Sequence, residues 1–183
     1  MLVRRGLPEL TMDLYKEVFE FPVVEYYREI GFDFNRESFN DLSVEFIDAY
    51  NQALGSAPLA RGARKVLNYF CDAGKRNIII SAMKHDMLVN SVSQKRLIGY
   101  FSDILGIDDI YAAGKSKVAR EYVEDNDIDV SDVVFIGDTT HDFEVAQEIG
   151  CRCILVANGH QSEKRLRATG VEVVRSLKNL LFE

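Results

Sequence analysis

Cysteine is scarce in this chain: Cys71, Cys151 and Cys153 are too few for a set of disulfides. They read as small core residues of a protein in a reducing compartment. Long apolar runs are also missing. No stretch reaches the ~18 residues that a membrane helix requires, and Met1-Leu2-Val3-Arg4-Arg5 is no signal peptide. Positive charge is in deficit, with 22 Lys and Arg against 29 Asp and Glu, a formal charge of −7. That balance argues against nucleic acid or an anionic membrane as a partner. There is no internal repeat and no low-complexity tract. What is present, 47% hydrophobic and 28% charged residues over 183 positions, suits a globular protein of one domain, or of one domain plus a small accessory unit. A cytoplasmic location is expected.

The pattern divides in two. Residues 9–55 read as helices only: Thr11 is a helix start, Pro22 fits the first turn of a second helix through Gly31, and a third spans 36–54. Their crowded aromatics (Tyr15, Phe19, Phe21, Tyr26, Tyr27, Phe32, Phe34, Phe39) are expected in a core. Gly55-Ser56-Ala57-Pro58 is a hinge-like break. From Leu59 helices and strands alternate. Helices are expected at 60–73, 85–98, 114–125 and 142–149, and strands at 77–81, 133–139, 152–157 and 171–174, with a short extended piece near 109–111. Such alternation predicts βαβ units, hence an α/β fold with a doubly wound, Rossmann-like parallel sheet.

The richest stretch is Val133-Val134-Phe135-Ile136-Gly137-Asp138-Thr139-Thr140-His141-Asp142. An apolar run ending in Gly-Asp places Asp138 at the carboxyl end of a strand, where open α/β sheets bind ligands. Asp142 falls in the loop or first helical turn, close enough to share a cation. Two carboxylates beside a pocket suit Mg²⁺, which takes one or two of them plus waters and substrate phosphate. The competing reading makes Asp138 a helix cap and Asp142 a solvated acid. Ser81, with the amide of Ala82, ends the 77–80 run and either holds an anionic oxygen or caps the next helix. Lys115 opens a helix against the macrodipole, so it calls for a negative partner such as phosphate; Lys117 reads as solvent-exposed. His85 and His160 read as ordinary loop or cap residues; His141 reads as a solvated loop residue, with a reach into the site as the alternative. Asp125-Asn126-Asp127-Ile128-Asp129 is an acidic decoy, because a calcium loop of the EF-hand type needs glycine where Val130 stands.

Taken together, Ser81 after an apolar strand, Lys115 at a helix start and Gly137-Asp138-x-x-x-Asp142 resemble motifs two, three and four of the haloacid dehalogenase superfamily, in particular its phosphoglycolate-phosphatase-like branch. The resemblance implies a helical cap (9–55) on an α/β core (1–8 and 56–183). In such enzymes an aspartate attacks the phosphoryl group, Mg²⁺ bridges the nucleophile, the motif-four acid and substrate, and serine and lysine hold the phosphoryl oxygens. It thus assigns Ser81, Ala82 and Lys115 to a small phosphorylated metabolite and Asp138 and Asp142 to Mg²⁺.

The family's first motif, an apolar strand ending in Asp-x-Asp, has no counterpart here; Asp33 and Asp125 lack the context. Met1 to Gly6 looks like the end of the helix that follows that motif. Two functions are therefore expected. One is a Mg²⁺-dependent phosphatase, inactive in this form. The other is a non-catalytic remnant that binds phosphate, metal or a partner, with a homodimer left open. Dehalogenase or phosphomutase ancestry are weaker readings. The absent strand would lie between those ending at Ser81 and Gly137. Direct pairing of those two strands, or filling of the gap by another segment such as one from a partner molecule, is therefore expected.

Overall fold

A computed structural model describes residues 1–107 and 114–181. Helices α1 (Met12–Val18), α2 (Val23–Glu29) and α3 (Phe39–Leu54) form the helical segment expected as a cap. The Thr11 hydroxyl caps α1 at Leu14 N–H, and the Ser38 hydroxyl caps α3 at Asp41 N–H. Pro22 stands just before α2 rather than in its first turn. Phe19, Tyr26, Tyr27, Phe32 and Leu42 are the buried centre of this unit. Tyr15, Phe21, Phe34 and Phe39 pack around them, so the crowded aromatics are a core. Met1, Leu2 and Leu7 join the same cluster, and Arg5 ties the amino-terminal turn to Glu45, 2.7 Å away.

The rest is α/β. In order come α4 (Ala63–Asp72), β1 (Ile78–Lys84), α5 (His85–Gln94), β2 (Asp103–Ile107), α6 (Gly114–Asp125), β3 (Val134–Gly137), α7 (Thr140–Ile149), β4 (Arg152–Val156), α8 (Glu163–Arg167) and β5 (Glu172–Val174). All pairings are parallel, as the alternation predicted. Three details differ from expectation. Ser81 does not end its strand: β1 runs on to Lys84 with a register break after Ile80. Strand β2 lies at 103–107, and the extended piece expected near 109–111 falls outside the described residues. Helix α8, too short for periodicity to reveal, was not anticipated.

The strands form two half-sheets, β1-β2 and β3-β4-β5. Direct pairing of β1 with β3 is not found among the described residues, so the expectation of direct pairing is corrected. Instead both strands line one cavity of about 600 Å³, with Ile78 and Ile80 on one side and Val134 and Ile136 on the other. Helix α6 packs against β1 and β2 as well as α7. Tyr122 donates to Asp103 Oδ2 (2.6 Å) beside β2, while Arg120 pairs with Glu148 (3.2 Å) on α7. One helix thus packs on the first half-sheet and, through α7, is joined to the second.

Candidate active site

Strand β3 ends in a glycine because no other residue fits. A Cβ on Gly137 would lie 2.2 Å from Asp142 Cβ and Cγ. The chain then turns through Asp138 into α7, where Thr139 is the N-cap. Asp142 N–H donates to the Thr139 hydroxyl at 3.3 Å, and Asp142 Oδ2 accepts from Thr139 N–H at 2.9 Å, a reciprocal capping box. The same oxygen accepts from Thr139 Oγ1 (2.8 Å) and Asp138 N–H (3.0 Å). Asp142 Oδ1 receives the Lys115 ammonium in a short ion pair. So Thr139, not Asp138, caps the helix, and Asp142 is buried rather than solvated.

Burial by itself would raise the Asp142 carboxyl. The charge and hydrogen bond of Lys115, with the Thr139 and Asp138 donors, overcome that and hold it below the ordinary carboxylate range. Lys115 is 14% exposed and Asp142 5%, so little water screens the pair. The ammonium also sits 5.4 Å from the centre of the Phe135 ring. The negative partner that a lysine at a helix start calls for is therefore present within the chain.

Asp138 is held from a second direction. Its Oδ2 accepts the His160 backbone N–H at 2.8 Å. That approach needs Gly159, where a Cβ would sit 1.7 Å from the same oxygen. Asp138 Oδ1 has no hydrogen-bond donor among the described residues. On β1, Ser81 Oγ accepts from Met83 N–H (3.1 Å), closing a local turn inside the strand; Ala82 follows it in the same irregular stretch. Lys115, Asp138 and Asp142 are thus brought together, while Ser81 and Ala82 stand on the other half-sheet. Lys117 is solvated, pairing with Glu121 at 3.7 Å. Among the described residues no group of three or more His, Cys, Asp and Glu side chains is arranged to hold a metal. One free carboxylate oxygen beside a second, anchored acid still suits Mg²⁺, which binds proteins through one or two carboxylates and keeps its waters.

Sequence reasoning missed His160 and Gln161, which connect core to cap. Burial pushes the Tyr15 phenol well up, with Tyr26 and Asp138 adding to it, so it stays protonated and donates to His160 Nδ1. Phe19 stacks on the same imidazole at 4.8 Å. Gln161, fully buried, donates to the Phe19 carbonyl (3.1 Å) and accepts from Thr140 N–H (2.7 Å). His141 is not a solvated loop residue: it lies in α7 against Phe21, at 5.3 Å between rings, with Nε2 buried and unpartnered among the described residues. No local pattern could reveal these contacts, since they join residues about 20 to 145 positions apart.

The sequence profile of the haloacid dehalogenase-like hydrolases matches residues 1–156. The chain belongs to that family. No curated protein matches it in sequence. Among solved structures, a haloacid dehalogenase-like hydrolase, SP0104 from Streptococcus pneumoniae, superposes with a TM-score of 0.79 at 14% identity, over 98% of this chain and 84% of that one. Protein tyrosine kinase A of Mycobacterium tuberculosis reaches 0.78 at 20% identity, over 98% and 84%. A predicted phosphoglycolate phosphatase from Haemophilus somnus gives 0.74 at 12%, over the same shares. At these identities the likeness is one of fold. Among the described residues no helix is long and apolar enough to cross a membrane.

Proposed function

We propose that this chain carries the phosphate- and Mg²⁺-binding part of a cytoplasmic phosphatase for a small phosphorylated metabolite, of the phosphoglycolate-phosphatase-like kind. The observation that carries the reading is the Lys115–Asp142 pair, set one loop away from Asp138 at the carboxyl end of β3. Asp138 would hold Mg²⁺ through its free oxygen. Asp142 would anchor the Asp138 backbone, add negative charge and keep Lys115 in place. Bound there, the ion would draw charge from phosphoryl oxygens, which is the larger part of what phosphoryl transfer needs. The Lys115 ammonium would neutralise a phosphoryl oxygen, and the Ser81 hydroxyl, whose oxygen already accepts from Met83, keeps its proton to donate. The Ala82 amide is the further donor on that side.

A second reading has its own support. Attack on phosphorus needs a carboxylate with an oxygen to spare. Asp142 has both oxygens engaged, and Asp138 is the one offered to the metal. The 183 residues on their own are therefore expected to bind rather than turn over. Titration calorimetry with Mg²⁺ and inorganic phosphate, beside an aryl phosphatase assay, tests both readings. Saturable Mg²⁺ binding lost in Asp138→Asn, phosphate binding weakened at least tenfold in Lys115→Ala, and negligible turnover are expected. Phosphate binding indifferent to Lys115 would discard the site. Mg²⁺-dependent turnover abolished by Asp138→Asn would discard the binding-only reading.

A further inference from the structure

Helix α1 reaches the Asp138 turn through the segment that follows β4. At its carboxyl-terminal end the Tyr15 hydroxyl donates to His160 Nδ1, and the Phe19 ring stacks on the same imidazole with centroids 4.8 Å apart. The Lys16 carbonyl accepts from Ser162 N–H at 3.1 Å. The Phe19 carbonyl accepts from Gln161 Nε2 at 3.1 Å and from the Arg165 guanidinium. Arg165 also lies 3.9 Å from Glu20. Residues 160–165 are thus tied to the end of α1 by backbone, amide, ring and charge.

Two of these residues face the other way as well. His160 N–H holds Asp138 Oδ2 at 2.8 Å. Gln161 Oε1 accepts from Thr140 N–H at 2.7 Å, and its Nε2 donates to the Thr140 hydroxyl at 3.3 Å. Asp138 follows β3 and Thr140 opens α7, so α1 reaches both sides of the turn, each through a single intervening residue. A carboxylate binds a cation well when its oxygens are already aimed, since little freedom is then lost on binding. Loss of an outer partner that fixes a ligand's orientation typically lowers metal affinity by about 10–100-fold. His160 N–H is such a partner for Asp138, and it stays aimed only while residue 160 is held. Tyr15 and Phe19 grip its imidazole, and Gln161, 1% exposed, fixes the next residue.

We propose that Tyr15 and Gln161 are positioning residues for the divalent cation. They make the affinity of Asp138 for Mg²⁺ depend on α1 being seated against residues 160–165. The dependence is reciprocal, so Mg²⁺ at Asp138 fastens α1 by the same factor. The control rests on Asp138 being the Mg²⁺ ligand proposed for the site, and extends it to a helix outside the metal loop.

The test uses the full chain, titration calorimetry with Mg²⁺, and hydrogen exchange with and without the ion. Tyr15→Phe keeps the ring and loses only the hydroxyl; it is expected to bind Mg²⁺ about tenfold more weakly, as is Gln161→Ala. Both variants are checked for folding by circular dichroism, and exchange in the unaltered chain needs no variant. There, saturating Mg²⁺ is expected to slow exchange of the Ser162 amide, which donates to the Lys16 carbonyl, by about tenfold. The slowing should vanish in Asp138→Asn and fall below ~twofold in Tyr15→Phe. A merely structural role for Tyr15 would leave that amide indifferent to the ion. Affinity unaltered in either variant, or Asp138-dependent Mg²⁺ binding that leaves Ser162 exchange unchanged, overturns the proposal and leaves the metal reading standing. Mg²⁺ binding that is absent, or indifferent to Asp138→Asn, discards the metal reading and the proposal with it.

Discussion

Strands β3 and β4 are paired neighbours and almost equally apolar, yet they live in different surroundings. In β4, Cys153, Ile154, Leu155 and Val156 are all buried. In β3, Val134 remains 43% exposed and Ile136 37%. Composition does not explain the contrast; pairing does. Strand β4 lies between β3 and β5, so both its edges are satisfied and its side chains meet others on each face. One edge of β3 opens on the cavity. The carboxyl ends nevertheless cooperate: the loop after β3 carries Asp138, and the segment after β4 brings Gly159 and His160 to hold it. The site thus rests on the better-packed strand while the weaker one supplies its acid.

The sharpest way to break the comparison is to remove equal volume from each strand. Leu155→Ala, at a fully buried position, should cost about 3 kcal/mol in urea unfolding. A cost below ~1 kcal/mol would show that β4 is not the centre of the core.

Next in size is Asp142→Asn, which leaves Lys115 facing a neutral group and should cost about 2 kcal/mol at neutral pH. The sign follows from the depressed carboxyl. Its stabilisation is complete above the ordinary value of 3.8 and is lost as pH falls below that toward the folded value. The gap between parent and variant should therefore close in acid and stay constant from pH 5 to 7. A gap that widened in acid would contradict the Lys115 pairing.

Gly159→Ala acts on the junction itself. Its methyl group would displace the Asp138 carboxylate, so Mg²⁺ affinity should fall about tenfold, or ~1.4 kcal/mol, with the unfolding midpoint little changed. Unaltered affinity would mean that the segment after β4 does not position Asp138. The smallest effect belongs to Ile136→Ala, below ~1 kcal/mol in the free chain, since this side chain keeps much of its exposure.

Periodicity alone read the helices of the cap, the alternation of the core and the strand-to-helix turn at Gly137-Asp138, because each is fixed by residues a few positions apart. The placement of Lys115 at a helix start and of Asp142 in a first turn was equally local, and the structure joins the two. Ser81 was harder: the apolar run Ile78-Ile79-Ile80 marks a strand, but its continuation to Lys84 depends on pairing with Ile107 of β2. His160, Gln161 and the buried face of His141 left no sign in the sequence, since their contacts come from the cap and from loops remote along the chain.

The sequence by itself therefore determined the α/β class, the helical amino-terminal segment and the order of charged residues on which the proposed site rests, all consequences of short-range pattern. Only the tertiary structure decided that the sheet is split and that Asp142 is spent on Lys115 and its own loop, leaving Asp138 a free oxygen. Strand neighbours and charge partners are chosen by packing between distant segments, and no run of adjacent residues encodes that choice.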